Sequence, residues 1–204
     1  MNYEILEDCS PYFIRYKHTG SDKIIAWCKE YKTRYIDNKN KIKFMHIKFP
    51  AELGSMFLNN IYGSKELELI KQRVSMFVTQ PNFYYRPHRD GLAVKVGINY
   101  NIDIRDDLCV TSWYDNNVFA GRPIDTLGGV SREIGDYNRA LEKDTIKPIK
   151  SMVAKQGEVI LFNTDYYHDV DNLSSSNERT ILTLRSALFD KLDFVEARRR
   201  LFNF

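Results

Sequence analysis

The pattern of apolar and polar positions divides the chain into a mixed N-terminal third and a strand-rich remainder. Residues 1–17 favour the start of a strand, and residues 42–49 alternate as a strand does. Ser21 or Asp22 can cap a helix that ends near residue 35. The predicted buried face of this helix is apolar and aromatic: Ile24, Trp27, Cys28, Tyr31 and Tyr35. Two further helices are predicted over residues 50–62 and 64–73.

From about residue 74 the chain consists of short runs rich in β-branched and aromatic residues, separated by Gly, Asn, Asp and Pro. The runs are VSMFVTQPNFYY, VKVGINYNI, LCVTSWYD, SMVAKQGEVILFN and RTILTLRSALF. Strands at this spacing indicate a sandwich or barrel, and helices before strands indicate an α+β fold that is mainly β. We expect one domain over residues 1–204, with a helical support region over 1–74 and a β core over 75–190.

An insertion over residues 115–147 interrupts the run of strands. Its VSREIGDYNRALEKD segment is predicted to be helical, and GRP and LGG mark turns. A long insertion between strands is commonly a lid or binding loop, or else a surface excursion. The sequence favours neither of these two interpretations.

The composition is typical of a globular protein, with 43% hydrophobic and 28% charged residues among 204. The net charge of +3 permits a nucleic-acid partner but does not indicate one, since such proteins usually have a stronger and more clustered basic excess. Three cysteines without a CxxC pair indicate reduced thiols and an intracellular, cytoplasmic protein. No signal-peptide pattern and no apolar stretch of membrane-spanning length is found, so we expect no membrane association.

Two of the four histidines lie where they can share a metal ion. His88 and Asp90, in YYRPHRDG, point to the same side of an extended segment, and His168 follows 80 residues later in FNTDYYHDVDN. Two imidazoles and one carboxylate form the facial triad of non-haem iron(II) oxygenases, which leaves three coordination positions open. With 27 acidic residues in the chain an HxD pair alone is unspecific, so the prediction depends on the strands that flank it.

A basic residue follows on a third predicted strand. Arg179 lies eleven positions after His168, and the alternation of RTILTLR puts Thr183 and Arg185 on the same face. An arginine fork binds a carboxylate in bidentate fashion, and the threonine hydroxyl can add a contact. The strand therefore predicts a carboxylate-binding position near the metal.

Over residues 75–190 the chain resembles the 2-oxoglutarate/iron(II) dioxygenase superfamily. The resemblance depends on PHRDG, the INYNI strand, the WY pair, the GEVILFN and YYHDVDN segments and the downstream arginine. In outline the chain is most similar to small aspartyl/asparaginyl and prolyl hydroxylase-like proteins, including phage-borne members that act in the host cytoplasm. The resemblance implies a double-stranded β-helix, or jelly roll, with helices packed on the larger sheet.

The resemblance also implies a role for each site residue. His88, Asp90 and His168 would bind Fe(II), and Arg179 would bind the co-substrate 2-oxoglutarate. Tyr85, three residues before His88, stands where prolyl hydroxylase-like members often have a tyrosine that contacts the co-substrate.

One local pattern is similar to a different branch of the superfamily. The arrangement of Asn177, Arg179 and Arg185 resembles that of the nucleic-acid alkylation-repair enzymes, in which both arginines engage 2-oxoglutarate. The distance in sequence from His168 is shorter than in that branch.

The implied activity is the oxidation of a substrate C–H bond by O2, coupled to the decarboxylation of 2-oxoglutarate. Our first expectation for the substrate is an amino-acid, peptidyl or protein side chain. A nucleobase or modified nucleotide is a second expectation, in which aromatic residues and the basic Arg198–Arg200 run would contact the nucleic acid. A third is a non-catalytic jelly roll that serves only recognition or assembly.

Overall fold

The computed structural model describes residues 3–35, 42–58, 74–90, 94–127, 131–184 and 191–202. The helix predicted over residues 64–73 lies outside these ranges. So does the end of the helix predicted over residues 50–62, of which Ala51–Leu58 is observed.

Thirteen strands are observed in the described residues. In chain order they are β1 (Tyr3–Cys9), β2 (Phe13–His18), β3 (Ile42–His46), β4 (Ser75–Thr79), β5 (Phe83–Arg89), β6 (Val96–Asp103), β7 (Val110–Tyr114), β8 (Ile124–Leu127), β9 (Ser131–Ile134), β10 (Lys150–Val153), β11 (Val159–Asn163), β12 (Tyr167–Asn172) and β13 (Arg179–Leu184). The helices are α1 (Ser21–Tyr35), α2 (Ala51–Leu58), α3 (Arg139–Glu142) and α4 (Phe194–Phe202), and a 3₁₀ helix spans Asn116–Phe119.

The strands form two antiparallel sheets packed as a jelly roll, which confirms the predicted fold class. The large sheet has the order β1-β2-β11-β6-β13-β4-β3, and the small sheet has the order β10-β7-β12-β5-β9-β8. The N-terminal region predicted as helical support contributes α1 and α2, and also the strands β1, β2 and β3 of the large sheet.

Helices cover one face of the large sheet. Helix α1 has the predicted bounds, with Asp22 in its first turn and Lys32 and Arg34 in its last, as the helix macrodipole favours. Its Ile24 and Cys28 are buried in a core that also includes α4 and the even-numbered side chains of β6: Val96, Ile98, Tyr100 and Ile102. Among the described residues, no helix combines the length and apolarity needed to cross a membrane.

A second core lies between the two sheets. Phe13 and Phe162 of the large sheet meet Trp113 of the small sheet, and the Phe13 and Trp113 rings stack with centroids 4.9 Å apart. Gly97 faces this core, where an added Cβ would lie 2.3 Å from a ring carbon of Phe162. The odd-numbered residues of β6 therefore face the space between the sheets, where the candidate site lies.

The prediction of a helix near residues 130–144 is wrong for most of its length. Residues Ser131–Ile134 form β9, which pairs with β5 at His88 and Arg89, and only Arg139–Glu142 is helical. A partly buried ion pair between Glu133 and Arg86 of β5, 2.7 Å long, accompanies this pairing. Contacts with a distant strand have overridden the local helical pattern.

The described part of the insertion packs behind the small sheet. Phe119, Ile134 and Ile146 form a cluster with Tyr114 and Tyr167 on the face that points away from the large sheet. The hairpin of β8 and β9 extends the same sheet beyond β5. The clustered residues therefore brace the small sheet on its outer face.

The cysteines and the two remaining histidines have structural environments, as predicted. The three cysteines form no disulfide. His18 is buried, with its Nε2 atom 2.5 Å from the Tyr100 hydroxyl. His46 is exposed, and its Nδ1 atom lies 3.0 Å from the Ser75 hydroxyl.

Candidate metal centre

His88, Asp90 and His168 converge in the space between the sheets. His88 is the penultimate residue of β5 and His168 is the second residue of β12, and the two residues are directly opposite in the antiparallel pair. Their rings are 4.3 Å apart, and the His88 Nε2 and Asp90 Oδ1 atoms are 3.8 Å apart. All three side chains are buried, and one donor atom from each lies within 4.8 Å of the others.

Both imidazoles are oriented in the same way. The Nδ1 atom of His88 lies 3.0 Å from the Arg86 carbonyl oxygen, and that of His168 lies 3.0 Å from the Tyr166 carbonyl oxygen. A carbonyl oxygen only accepts, so Nδ1 is the donor in each contact, and in the neutral ring Nε2 is then the atom that carries the lone pair. This tautomer and this orientation are those of metal-binding histidines.

The donor set fits a first-row transition metal. Two imidazole nitrogens and one carboxylate suit iron(II) and its neighbours. With metal–donor bonds of about 2.1 Å the three donors of a facial triad lie about 3 Å apart, so side-chain adjustments of roughly an ångström or more complete the set. Three protein ligands leave coordination positions for a co-substrate.

An acidic residue that sequence reasoning missed supports the metal-bearing strands from behind. Asp169 points away from the metal site and accepts hydrogen bonds from the hydroxyls of Tyr84 and Tyr114, each 2.7 Å long, and from the Ser112 amide. Burial raises the pKa of Asp169 to about 6, and the tyrosine hydrogen bonds oppose this shift. The bonds join β12 to β5 and β7, and thereby fix the strand of His168 on both sides.

Arg179 is buried between the sheets with few partners. Its side chain is 5% exposed, and its Nη1 atom lies 3.4 Å from the Thr111 hydroxyl across the gap. The Nε atom is buried without a hydrogen-bond partner, and within the described ranges no carboxylate forms an ion pair with this guanidinium. Burial also raises the pKa of the Cys109 thiol beside it, which Arg179 partly offsets. A buried cation in this state lacks an anionic partner.

The strand register measures how far Arg179 lies from the metal ligands. Trp113 is opposite His168, and Thr111 lies two residues further along the same strand. Two residues of an antiparallel strand span about 7 Å. The Arg179 guanidinium, which contacts Thr111, therefore lies about two strand residues from the metal ligands. A five-carbon dicarboxylate bound to the metal can span this distance.

The other two described candidates for co-substrate contacts also face this space. Tyr85 lies opposite Val170, and its ring is 4.2 Å from that of His88. Thr183 is buried and donates a 2.7 Å hydrogen bond to the Asn99 side-chain oxygen. Arg185 lies outside the described residues.

Asn101 is a buried polar residue between the sheets that was not among the candidates predicted from the sequence. It is 0% exposed, and neither its Oδ1 nor its Nδ2 atom has a hydrogen-bond partner among the described residues. It faces the space between the sheets beside β13, where it is paired with Ile181. The available signal was the alternation of INYNI, in which two asparagines lie opposite the apolar face of the strand.

Comparison with known proteins reveals similarity at the level of fold. No protein-family model and no curated protein matches the chain. A 2OG-Fe(II) oxygenase family oxidoreductase from Burkholderia pseudomallei superposes with a TM-score of 0.51 at 11% identity, over 87% of this chain and 85% of that one. The non-heme alpha ketoglutarate dependent carbocyclase SnoK from nogalamycin biosynthesis gives a TM-score of 0.50 at 14% identity, over 84% and 78%. The jelly roll is thus the fold of known 2-oxoglutarate oxygenases.

Proposed function

We propose that the protein is an Fe(II)- and 2-oxoglutarate-dependent oxygenase. His88, Asp90 and His168 hold the iron, and Arg179 binds the distal carboxylate of 2-oxoglutarate. The observation that carries the proposal is the combination, in one buried space, of a metal triad and a guanidinium that has no carboxylate partner in the described ranges. Neither feature alone identifies a ligand, but together they match the two ends of a metal-chelating dicarboxylate.

The protein residues orient and enclose the reacting groups. When bound, the iron supplies the activation of O2 that C–H oxidation requires. The two Nδ1 hydrogen bonds hold the imidazoles with Nε2 toward the ion. Tyr85, whose ring lies 4.2 Å from that of His88, and Thr183 on β13 are the further residues that we propose contact the co-substrate. Burial of all three metal ligands limits the access of bulk water.

For the substrate, we propose an amino-acid, peptidyl or protein side chain. On β5, the strand that carries His88, Arg86 is paired with Glu133 and Asp125, and Arg89 is paired with Asp165 at 2.9 Å. These carboxylates neutralise the arginines that would otherwise attract a phosphate backbone. The charge balance near the metal therefore favours a substrate that is not a polyanion.

The C-terminal basic run also offers little to nucleic acid. Arg198 pairs with Asp8, while Arg199 and Arg200 both pair with Glu196 on the same helix. These pairings are consistent with a solvated helix face, which a short basic run on a helix usually is. A nucleotide substrate stays the second candidate on the aromatic content alone, and a panel of amino acids, peptides and nucleotides in a succinate-release assay distinguishes the two.

A spectroscopic titration tests the enzyme proposal and separates it from a non-catalytic jelly roll. Addition of Fe(II) and 2-oxoglutarate to the purified protein without oxygen is expected to give a visible charge-transfer band. His168→Ala should abolish the band, whereas the matched control His46→Ala, which changes an exposed histidine on β3, should keep it. Absence of the band in the unmodified protein, or its persistence in His168→Ala, would rule out the proposed site.

A further inference from the structure

The bend that precedes His168 is held by side chains. Residues 164–166 connect β11 to β12 outside either strand, and the Tyr166 carbonyl at its end accepts the His168 Nδ1 hydrogen bond. One asparagine bonds the backbone on both sides of Tyr166. The Asn116 Nδ2 atom donates to the Asp165 carbonyl at 3.0 Å, and the Asn116 Oδ1 atom accepts from the Tyr167 amide at 3.0 Å.

A second asparagine anchors the start of the same bend. The Asn163 Oδ1 atom accepts from the Asp165 amide at 2.9 Å, and its Nδ2 atom donates to the Pro11 carbonyl at 3.0 Å. The backbone of Asn163 bonds the Tyr12 carbonyl at 2.8 Å and the Trp113 indole N–H at 3.2 Å. The bend is thereby tied to the turn between β1 and β2 and to β7.

The geometry points to Asn116 and Asn163 as positioning residues for the metal ligand His168, and we call the pair the asparagine clamp. Three side-chain hydrogen bonds orient the peptide groups around Tyr166, and a fourth anchors Asn163 to the Pro11 carbonyl. The Tyr166 carbonyl in turn fixes the tautomer and the ring orientation of His168. The inference deepens the proposed function, because it concerns the same metal site. It also gives the insertion a role, since Asn116 lies near its start and reaches the site from behind the small sheet.

The asparagine clamp predicts an unequal dependence of the two histidines. The Nδ1 partner of His88 is the Arg86 carbonyl, which lies at the register shift of β5 and, within the described residues, forms no hydrogen bond with either asparagine of the clamp. The Nδ1 partner of His168 lies in a bend outside the strand ladders, so its orientation depends on the two asparagines. Loss of the clamp should therefore disturb His168 and leave His88 unchanged, which general destabilisation would not do.

Metal binding by the full chain gives the first test, with Co(II) as the probe. Loss of an outer partner of a metal ligand typically weakens metal affinity by about 10–100-fold, and we expect about tenfold for Asn116→Ala. Asn117→Ala is the matched control, because Asn117 lies on the same 3₁₀ helix and is exposed. The control should bind Co(II) within about twofold of the unmodified protein. Equal affinities in the two variants would overturn the inference.

A nitrogen NMR measurement of the metal-free protein gives the second test and does not depend on the proposed function. Both histidines should show the Nδ1-protonated tautomer, and Asn116→Ala should give a mixture of tautomers at His168 alone. A single tautomer retained at His168, or an equal change at His88, would overturn the clamp.

If Asn116→Ala does not fold, Asn116→Asp replaces it in both tests. This variant keeps the acceptor for the Tyr167 amide and loses the donor to the Asp165 carbonyl. Failure of the unmodified protein to bind any metal would instead count against the proposed function.

Discussion

The space between the sheets has a metal end, at His88 and His168, and a second end, at Arg179 and Asn101. The two ends differ in how many of their buried polar atoms have hydrogen-bond partners in the protein. At the metal end, each imidazole Nδ1 bonds a backbone carbonyl. At the other end, the Nε atom of Arg179 and both side-chain polar atoms of Asn101 are buried without partners in the described part of the chain. Leaving a buried polar group unpaired costs about 1–3 kcal/mol. The contrast supports the proposal that the first end binds an ion and the second binds a ligand that brings its own polar atoms.

The largest expected effect is on 2-oxoglutarate affinity, and it follows from replacing Arg179 at the end of the space that lies away from the metal. Replacement by methionine, Arg179→Met, should weaken 2-oxoglutarate binding by about 100-fold, or roughly 3 kcal/mol, because a charge-assisted carboxylate contact is lost. Metal affinity should be unchanged. The metal-free variant should be at least as stable as the unmodified protein, since a buried unpaired cation has been removed. Calorimetric titration of both ligands and thermal unfolding check these outcomes.

Arg105→Met is the control for this change. Arg105 lies near the same end of the sheets but is exposed and paired with Asp103. Its replacement should leave both affinities unaltered. A collapse of metal binding in Arg179→Met would show that the two ends are not separable, and would contradict the assignment of Arg179.

A smaller effect is expected from two asparagines of β6 that share one face. In Asn101→Val an unpaired buried amide is removed, so the stability of the metal-free protein should stay the same or rise by about 1 kcal/mol. In Asn99→Val the partner of the Thr183 hydroxyl is lost, so stability should fall by about 1 kcal/mol. Asn101→Val should also weaken 2-oxoglutarate binding by about 3–10-fold if the amide contacts it. Destabilisation by Asn101→Val of the size seen for Asn99→Val would refute this interpretation.

The smallest effect concerns pH and lies outside the site, at His18. Burial lowers the pKa of His18 below its ordinary value of 6.5. The unfolded chain then binds more protons than the folded chain as the pH falls through 6.5, so acid lowers the free energy of unfolding. His18→Gln should reduce this dependence in denaturant titrations between about pH 5 and pH 8. An identical pH dependence in His18→Gln would show that this group is not responsible.

Features carried by local patterns could be predicted from the sequence. The amphipathic spacing of helix α1 indicated its bounds, because a single face repeats there every three to four residues. The strands that carry His88, His168 and Arg179 were predictable from alternation and β-branched content. The structure brings the first two together with Asp90, although their roles stay predictions until metal binding is measured.

Features that depend on distant partners could not be predicted. Residues 131–134 form a strand because β5 offers an edge beside His88, and no local signal identifies that edge. The asparagine clamp joins residues from the N-terminal turn, the insertion and the bend after β11, and its bonds exist only once these are folded together. The alternation of INYNI indicated which face of the strand carries Asn101. That its side chain lacks partners among the described residues follows only from the tertiary packing.

The central claim is that one dicarboxylate spans the metal and Arg179. The most direct measurement compares the affinities of 2-oxoglutarate and of 2-oxopentanoate, which has the same five-carbon chain without the distal carboxylate. Both are titrated with Fe(II) in the absence of oxygen, in the unmodified protein and in Arg179→Met. We predict a preference for 2-oxoglutarate of about 100-fold in the unmodified protein that falls to nearly none in the variant. A preference of equal size in both proteins would contradict the account.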